Sequence, residues 1–234
     1  MKIFCRGLTI VLIFLNCHSA SFRNLDFQSP NIKALSASIP GGVYSVNDVI
    51  PGWRLEYGGI NQNLMFYNNV SLLFPSARLY GSEIPRLGDT FGFGMKSGIF
   101  ADGSNDIMGA ASIYQIGQVP ESARSLQFQA AFRPSIEDLH VTLNGQLLQL
   151  IEFEQTGIYY RYGAEVSPWA GETAELRFTV GPGTYPDGAA VELAAIQFSS
   201  TPVPAIPEPS TWALLITGLA ALAWNHRRRG NRRV

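Results

Sequence analysis

The stretch Leu139-His140-Val141-Thr142-Leu143-Asn144-Gly145-Gln146-Leu147-Leu148-Gln149-Leu150-Ile151 contains a complete hairpin signal. Leu139, Val141 and Leu143 alternate with His140 and Thr142, the period of a strand with one buried face. Asn144-Gly145 follows, the pair that a two-residue hairpin turn favours because both positions need positive φ. The same alternation recurs in Ala174–Val180, with Leu176, Phe178 and Val180 on the inward side. Further strands are expected over Asn24–Gln28, Trp53–Tyr57, Thr90–Met95, Ser112–Ile116, Ser125–Phe132, Gly157–Glu165 and Val191–Ser199. Turn residues part them, as at Pro40-Gly41-Gly42, Gly58-Gly59, Pro134-Ser135 and Gly181-Pro182-Gly183. No stretch keeps an i, i+3, i+4 apolar stripe for more than two turns, so helix is minor. Many short strands at this spacing predict an all-β sandwich over residues 21–200.

The chain has 234 residues, enough for two processed ends and one domain of roughly 180 residues with its own core. Residues 21–206 hold 10 Lys/Arg against 17 Asp/Glu, a net charge of about −7, while the last eight residues hold five Arg. An acidic middle gives no electrostatic footing for nucleic acid. The two cysteines, Cys5 and Cys17, both fall in the segment expected to be removed. The exported part must therefore be held by a core rather than by disulfides.

Residues 1–20 read as a signal peptide, which implies Sec export and signal peptidase. Lys2 and Arg6 open it, Leu8–Leu15 is an apolar run too short to span a bilayer, and Ala20 supplies a small residue for cleavage nearby. His18 suits that site poorly, which lets the cut shift by a few residues. Cys17 suggests a lipoprotein, but Asn16 before it is wrong for a lipid-attachment box. At the other end a Pro-rich linker (201–206) leads into Pro207-Glu208-Pro209-Ser210-Thr211, then 13 apolar residues from Trp212 to Trp224, then Arg227, Arg228, Arg229, Arg232 and Arg233. As a helix the apolar run is about 20 Å long, a marginal span for a hydrocarbon core of about 30 Å. The arginines form a stop-transfer cluster that stays cytoplasmic and leaves the middle of the chain outside.

The order of Pro-Glu-Pro, short apolar helix and terminal Arg cluster over Pro207–Val234 resembles the PEP-CTERM sorting domain. That resemblance implies processing by exosortase, a membrane-embedded Cys-type enzyme of Gram-negative bacteria that make exopolysaccharide. It also implies a transient inner-membrane anchor, followed by a surface or extracellular location. The exported part is similar to galactose-binding-like jelly rolls at Asn24–Pro30, Ile50–Trp53, Trp169–Phe178 and Val191–Phe198. This second resemblance implies a jelly-roll β-sandwich, frequent sugar binding and a frequent structural calcium. At the calcium place Gln28 and Ala194-Ala195 stand where the family carries carboxylates, and only Asp26 and Glu192 remain. Calcium prefers several carboxylate oxygens, so no metal is expected there.

Among catalytic residue types, His140 is the only histidine left in the exported part, and it reads as an exposed strand residue. There is no Gly-x-Ser-x-Gly elbow and no His-Glu-x-x-His, and one His without Cys makes no ordinary zinc site. Glu152 and Glu154 read as one solvated strand face rather than a glycosidase pair. Asp102–Asp106 lacks the later positions of a calcium loop, and Gly88–Gly94 lacks the following helix of a phosphate cradle. Sugar faces stack on aromatic rings, which makes Tyr57, Tyr159, Tyr160, Tyr162 and Trp169 the candidate contacts, with Tyr67 and Tyr80 in the same class. The sequence therefore predicts a non-enzymatic surface or matrix protein without cofactor, associated with exopolysaccharide. The alternatives are a structural envelope protein without a small ligand and a hydrolase with an unrecognised carboxylate site.

Overall fold

The structure is a computed structural model that describes residues 20–31, 42–68, 76–80, 91–101, 106–133, 136–182, 188–204 and 217. The sorting motif, the stop-transfer arginines, residues 102–105 and all of the expected signal peptide except Ala20 lie outside these. So does the expected span, apart from Thr217. Among the described residues no helix is long and apolar enough to cross a membrane.

The described chain is nearly all β. In order it forms β1 (Val43–Ser45), the short helix α1 (Val46–Val49), β2 (Arg54–Tyr57), β3 (Ile60–Gln62), β4 (Leu64–Tyr67), β5 (Ser76–Tyr80), β6 (Gly92–Lys96), β7 (Gly98–Ala101) and β8 (Asp106–Gly109). Then follow β9 (Ala111–Gln118), β10 (Ser125–Arg133), β11 (Leu139–Leu143), β12 (Gln146–Leu147), β13 (Ile151–Thr156), β14 (Tyr159–Glu165), β15 (Thr173–Val180) and β16 (Ala190–Ser199). One sheet has the order β1-β4-β5-β6-β16-β10-β14-β13 and the other β12-β11-β15-β9-β2-β3, with β7 and β8 a separate hairpin. Four antiparallel pairs nest inside one another along the chain: β6 with β16, β9 with β15, β10 with β14, and β11 with β12.

Side-chain alternation fixes which face of each strand is inside. On β11 Leu139, Val141 and Leu143 are buried while His140 is exposed, and on β15 Leu176, Phe178 and Val180 are buried. Asn144 (φ 52°) and Gly145 (φ 77°) take the left-handed backbone that their turn requires. Between the sheets a chain of ring contacts runs Phe93–Phe27–Trp53–Phe178–Phe128–Tyr162, with centroid separations of 5.2, 5.5, 6.2, 5.3 and 5.8 Å. It draws rings from both sheets and from the N-terminal segment.

That segment departs from expectation. Asn24–Gln28 is not a strand but a tight turn with Asn24 (φ 51°) and Phe27 (φ 62°) both left-handed. The turn is held by Trp53, whose indole N–H donates to the Asn24 carbonyl at 2.9 Å, and by the Asn24 carboxamide oxygen, which accepts the Ser29 N–H at 2.8 Å. It inserts Phe27 completely into the core. The returning arm of the 139–151 hairpin is also shorter than expected. Gln146–Leu147 form the strand, the Leu148 N–H still donates to the Val141 carbonyl at 2.8 Å, and the Leu148 side chain is buried.

Phe27→Ala would leave a cavity at the one ring that joins the N-terminal turn to both Trp53 and Phe93. The expected loss is about 3–5 kcal/mol, read as a fall in Tm of roughly 10 °C or more. Thermal unfolding checks it, and a fall below about 3 °C would show that the turn does not anchor the core.

Candidate functional site

The five aromatic candidates do not form one platform. Tyr162 is buried, stacked on Phe128 and edge-on to Phe132, so its faces are covered. Burial, with the Glu152 carboxylate beside it, pushes its hydroxyl well above the ordinary tyrosine range. Tyr57 packs against the core, and burial raises its hydroxyl in the same direction, only partly offset by a hydrogen bond to the Ala77 backbone. Tyr160 also lies against the core and its hydroxyl accepts from Gln155 at 3.1 Å. Tyr159 opens β14, whereas Trp169 lies in the turn Ser167–Trp169 beyond its far end. A seven-residue strand separates these two by roughly 20 Å.

Tyr159 instead joins a cluster that no local pattern announces. Arg78 of β5, Gly94 of β6, Glu192 of β16 and Ala131 of β10 stand in register across the outer face of the larger sheet. The Arg78 guanidinium reaches Glu192 Oε1 at 3.5 Å, Tyr80 donates its hydroxyl to the same oxygen at 2.8 Å, and Tyr159 donates to Oε2 at 3.2 Å. Arg78 also lies 4.2 Å from the Tyr80 ring centroid, a cation–π contact. A Cβ at Gly94 would come within 3.2 Å of the Tyr80 ring and 3.3 Å of Arg78, so this glycine leaves the space that the cluster crosses. With donors from two other strands converging on its two oxygens, Glu192 works as a clamp for β5, β16 and β14. The smaller sheet carries a comparable polar ladder. Burial opposes the charge of Arg177, but hydrogen bonds to Glu175 and Glu56 outweigh it and hold the guanidinium more firmly protonated than usual.

A groove among the described residues lies elsewhere. It has a volume of about 880 Å³ and runs between the N-terminal segment and β16, lined by Ser21, Phe22, Leu25, Asp26, Gln28, Gln118, Val119, Pro120, Glu121, Ala195, Ile196, Gln197 and Phe198. Phe22 and Phe198 stand 5.2 Å apart at its wall. Among the described residues its charged and amide lining is two carboxylates and three carboxamides, with no Lys or Arg. Ala195 has φ 50°, left-handed for a residue with a Cβ, within the irregularity where β16 slips register against β10.

The groove gathers Asp26, Gln28 and Ala195, three of the positions that the calcium pattern singles out, but Glu192 turns away to Arg78. Gln28 is committed to the backbone: its amide donates to the Asp26 carbonyl at 2.9 Å and the Phe91 carbonyl at 3.1 Å, and its oxygen accepts the Phe91 N–H at 3.3 Å. Glu152 and Glu154 are exposed and are separated by a register shift, Glu152 meeting the Tyr162 hydroxyl and Glu154 meeting Arg161. His140 is exposed opposite Thr179.

The segment after β16 is docked on the domain. Ser125 Oγ donates to the Thr201 carbonyl at 2.8 Å, and Val203 lies so close to Gly163 that a Cβ there would meet its methyls at 3.0 and 3.1 Å. Residues 205–229, immediately beyond, match the PEP-CTERM protein-sorting motif. The chain thus carries the signal of an exported, surface-directed protein targeted to exosortase, and the match contains Pro207, Glu208, Pro209, Arg227, Arg228 and Arg229. No curated protein matches the chain in sequence. Among solved structures, the enzymatically active domain of tailspike protein 4 from bacteriophage CBA120 is similar at a TM-score of 0.33 and 16% identity. That similarity covers 76% of this chain and about a fifth (21%) of the other, and neither fold nor activity is carried over from it.

Because the Gln28 carboxamide is already closed on backbone and Ala195 offers no side-chain oxygen, millimolar calcium should shift Tm by less than about 2 °C. A tight site in calcium excess adds about 2.7 kcal/mol, several degrees in a domain of this size. Thermal unfolding with calcium and with chelator decides between the two, and a shift of several degrees would mean that backbone and the remaining carboxylates build a site.

Proposed function

We propose that this chain is a non-enzymatic surface or extracellular-matrix protein whose jelly-roll domain associates with exopolysaccharide once exosortase has released it from the membrane. The observation that carries the reading is the adjacency of a folded β-domain and a sorting motif. Val203 is docked against Gly163, and only Pro204, Ala205 and Ile206 stand between it and Pro207. The four nested antiparallel strand pairs support a jelly roll, since that fold is two Greek keys wound into two sheets. Glu152, Glu154 and Glu192 each hold a structural partner, and His140 stands on an exposed strand face.

The groove beside β16 supports the choice of ligand class. Its volume falls in the range of small-molecule and oligosaccharide sites, and it combines apolar walls with a few polar groups. Carboxamides both accept from and donate to sugar hydroxyls, carboxylates accept from them, and Phe22 and Phe198 supply apolar surface. The left-handed Ala195 adds local backbone strain of the kind that collects at functional sites. A described lining without cations favours a neutral or amino-bearing polysaccharide over an acidic one.

Two measurements test this. Deleting residues 207–234 should move the protein from the membrane fraction to the periplasm or medium. Persistent membrane association would overturn a single C-terminal anchor. A chain truncated after Pro204 should cosediment with exopolysaccharide from its native host, and Gln197→Ala with Glu121→Ala should weaken binding about tenfold, equivalent to about 1.4 kcal/mol. Binding that survives both substitutions would remove the groove from the account, and no binding by the unaltered domain would favour a purely structural role.

A further inference from the structure

We propose that the groove at the corner of α1, β2 and β3 is a second binding site, which takes an acidic sugar unit, a hexuronate within a polysaccharide, by its carboxylate. The site is separate from the groove beside β16 and does not rest on the ligand reading given for that groove. Its volume is about 560 Å³. Its charged, amide and hydroxyl lining is Arg54, Asn47, Asn61, Gln62, Asn63 and Ser45, with no carboxylate among the described residues. This is the reverse of the groove beside β16, which has two carboxylates and no cation in its described lining.

The fold places one uncommitted cation in this groove. Leu55 of β2 is buried, so Arg54 and Glu56 stand on the outer face of the smaller sheet, where Arg54 is in register with Tyr114 of β9. Glu56, the next outward residue of β2, is bound by the Arg177 guanidinium, which also binds Glu175. Arg54 is left with the Tyr114 ring, its guanidinium carbon 5.9 Å from the centroid, and forms no ion pair with a described residue. Asp48 of α1 does not compensate it either. That carboxylate accepts the Asn31 amide at 3.3 Å and is not part of the lining.

Tyr114 joins Arg54 to a second donor. Its ring lies under the guanidinium, and its hydroxyl donates to Asn61 Oδ1 at 3.2 Å, so what Asn61 has left to offer is its amide N–H groups. Gln62 supplies the opposite: its amide donates to the Ile60 carbonyl at 3.0 Å, which leaves its oxygen as an acceptor. The Ser45 hydroxyl does not cap α1. The Val46 N–H donates to the Asn63 carbonyl at 2.9 Å, which holds α1 against the β3–β4 junction and shapes the groove. A guanidinium fork beside an amide donor matches the oxygens of a carboxylate. The remaining carboxamides and the hydroxyl match the hydroxyls of a sugar ring. A lone carboxylate or phosphate would use only a small part of the volume, so the fitting occupant is a sugar unit that carries the carboxylate.

Isothermal titration calorimetry of the exported protein with tetragalacturonate tests the site against three further probes: the same tetramer with its carboxyls reduced to alcohols, free galacturonate and inorganic phosphate. The tetramer should bind, and its reduced form, neutral and otherwise alike, should bind at least about tenfold more weakly. Arg54→Gln removes the charge. Asn61→Asp keeps the acceptor for Tyr114 but puts a carboxylate oxygen where the amide was. Each should weaken the tetramer at least about tenfold. A Tm held within about 2 °C separates loss of the site from loss of the fold, and Asn61→Asp carries the test should Arg54→Gln fold poorly. No binding of the tetramer, equal binding of its reduced form, or full binding by both variants would overturn the site. Phosphate or free galacturonate binding as tightly as the tetramer would overturn the polysaccharide as its source. None of these failures touches the groove beside β16, which is tested with host exopolysaccharide and its own substitutions.

Discussion

The ring chain Phe93–Phe27–Trp53–Phe178–Phe128–Tyr162 is the contact on which the rest of the domain depends. A sandwich without disulfides must lock its two sheets by side-chain burial alone, and large rings bury more apolar area per residue than any aliphatic. Phe178 and Phe128 come from opposite sheets and meet edge-to-face, which sets how the sheets sit on one another. Phe27 and Trp53 extend the chain to the N-terminal turn, and the Trp53 indole holds that turn through the Asn24 carbonyl. Once this turn is seated, residues 20–23 fall along the open edge of β9 and one wall of the groove is in place. The core thus positions the N-terminal segment and the groove in a single step.

Elements governed by local pattern were legible in the sequence. Leu139–Leu143 and Asn144-Gly145 carry alternation and turn chemistry within a few residues, and the structure has that hairpin with both left-handed angles. The alternation in Asn24–Gln28 misleads because Phe27 reaches the core through a turn rather than from a strand, a tertiary demand that period-two counting cannot see. β1, β3 and β4 are short and hold exposed Val43, Ile60 and Leu64, so their pattern carries little contrast. On β13 the alternation Ile151-Glu152-Phe153-Glu154 is kept, so the reading of Glu152 and Glu154 as one exposed strand face agrees with the structure even though the register shifts between them.

The site was less legible than the fold. Arg78 and Glu192 are 114 positions apart and meet only because β5, β6 and β16 are neighbours and Gly94 leaves the space between them open. Nothing near either residue in sequence signals the other. Tyr159 was picked out as an aromatic, but its hydroxyl bonds to Glu192 rather than standing free. The groove assembles Asp26, Gln118, Glu121 and Gln197 from three distant segments in the same way. The sorting tail is the opposite case, because its information is linear: motif, apolar run and arginines in a fixed order.

These parts divide the labour along the chain. Among the described residues Val203 is seated over Gly163, and the match to the sorting motif begins at residue 205. Intact mass of the envelope-associated protein from its native host tests this division most directly. The account predicts a species that retains the domain through Pro204 and lacks the apolar run Trp212–Trp224 with its arginines. A mature protein that still carries Trp212–Val234 would contradict it.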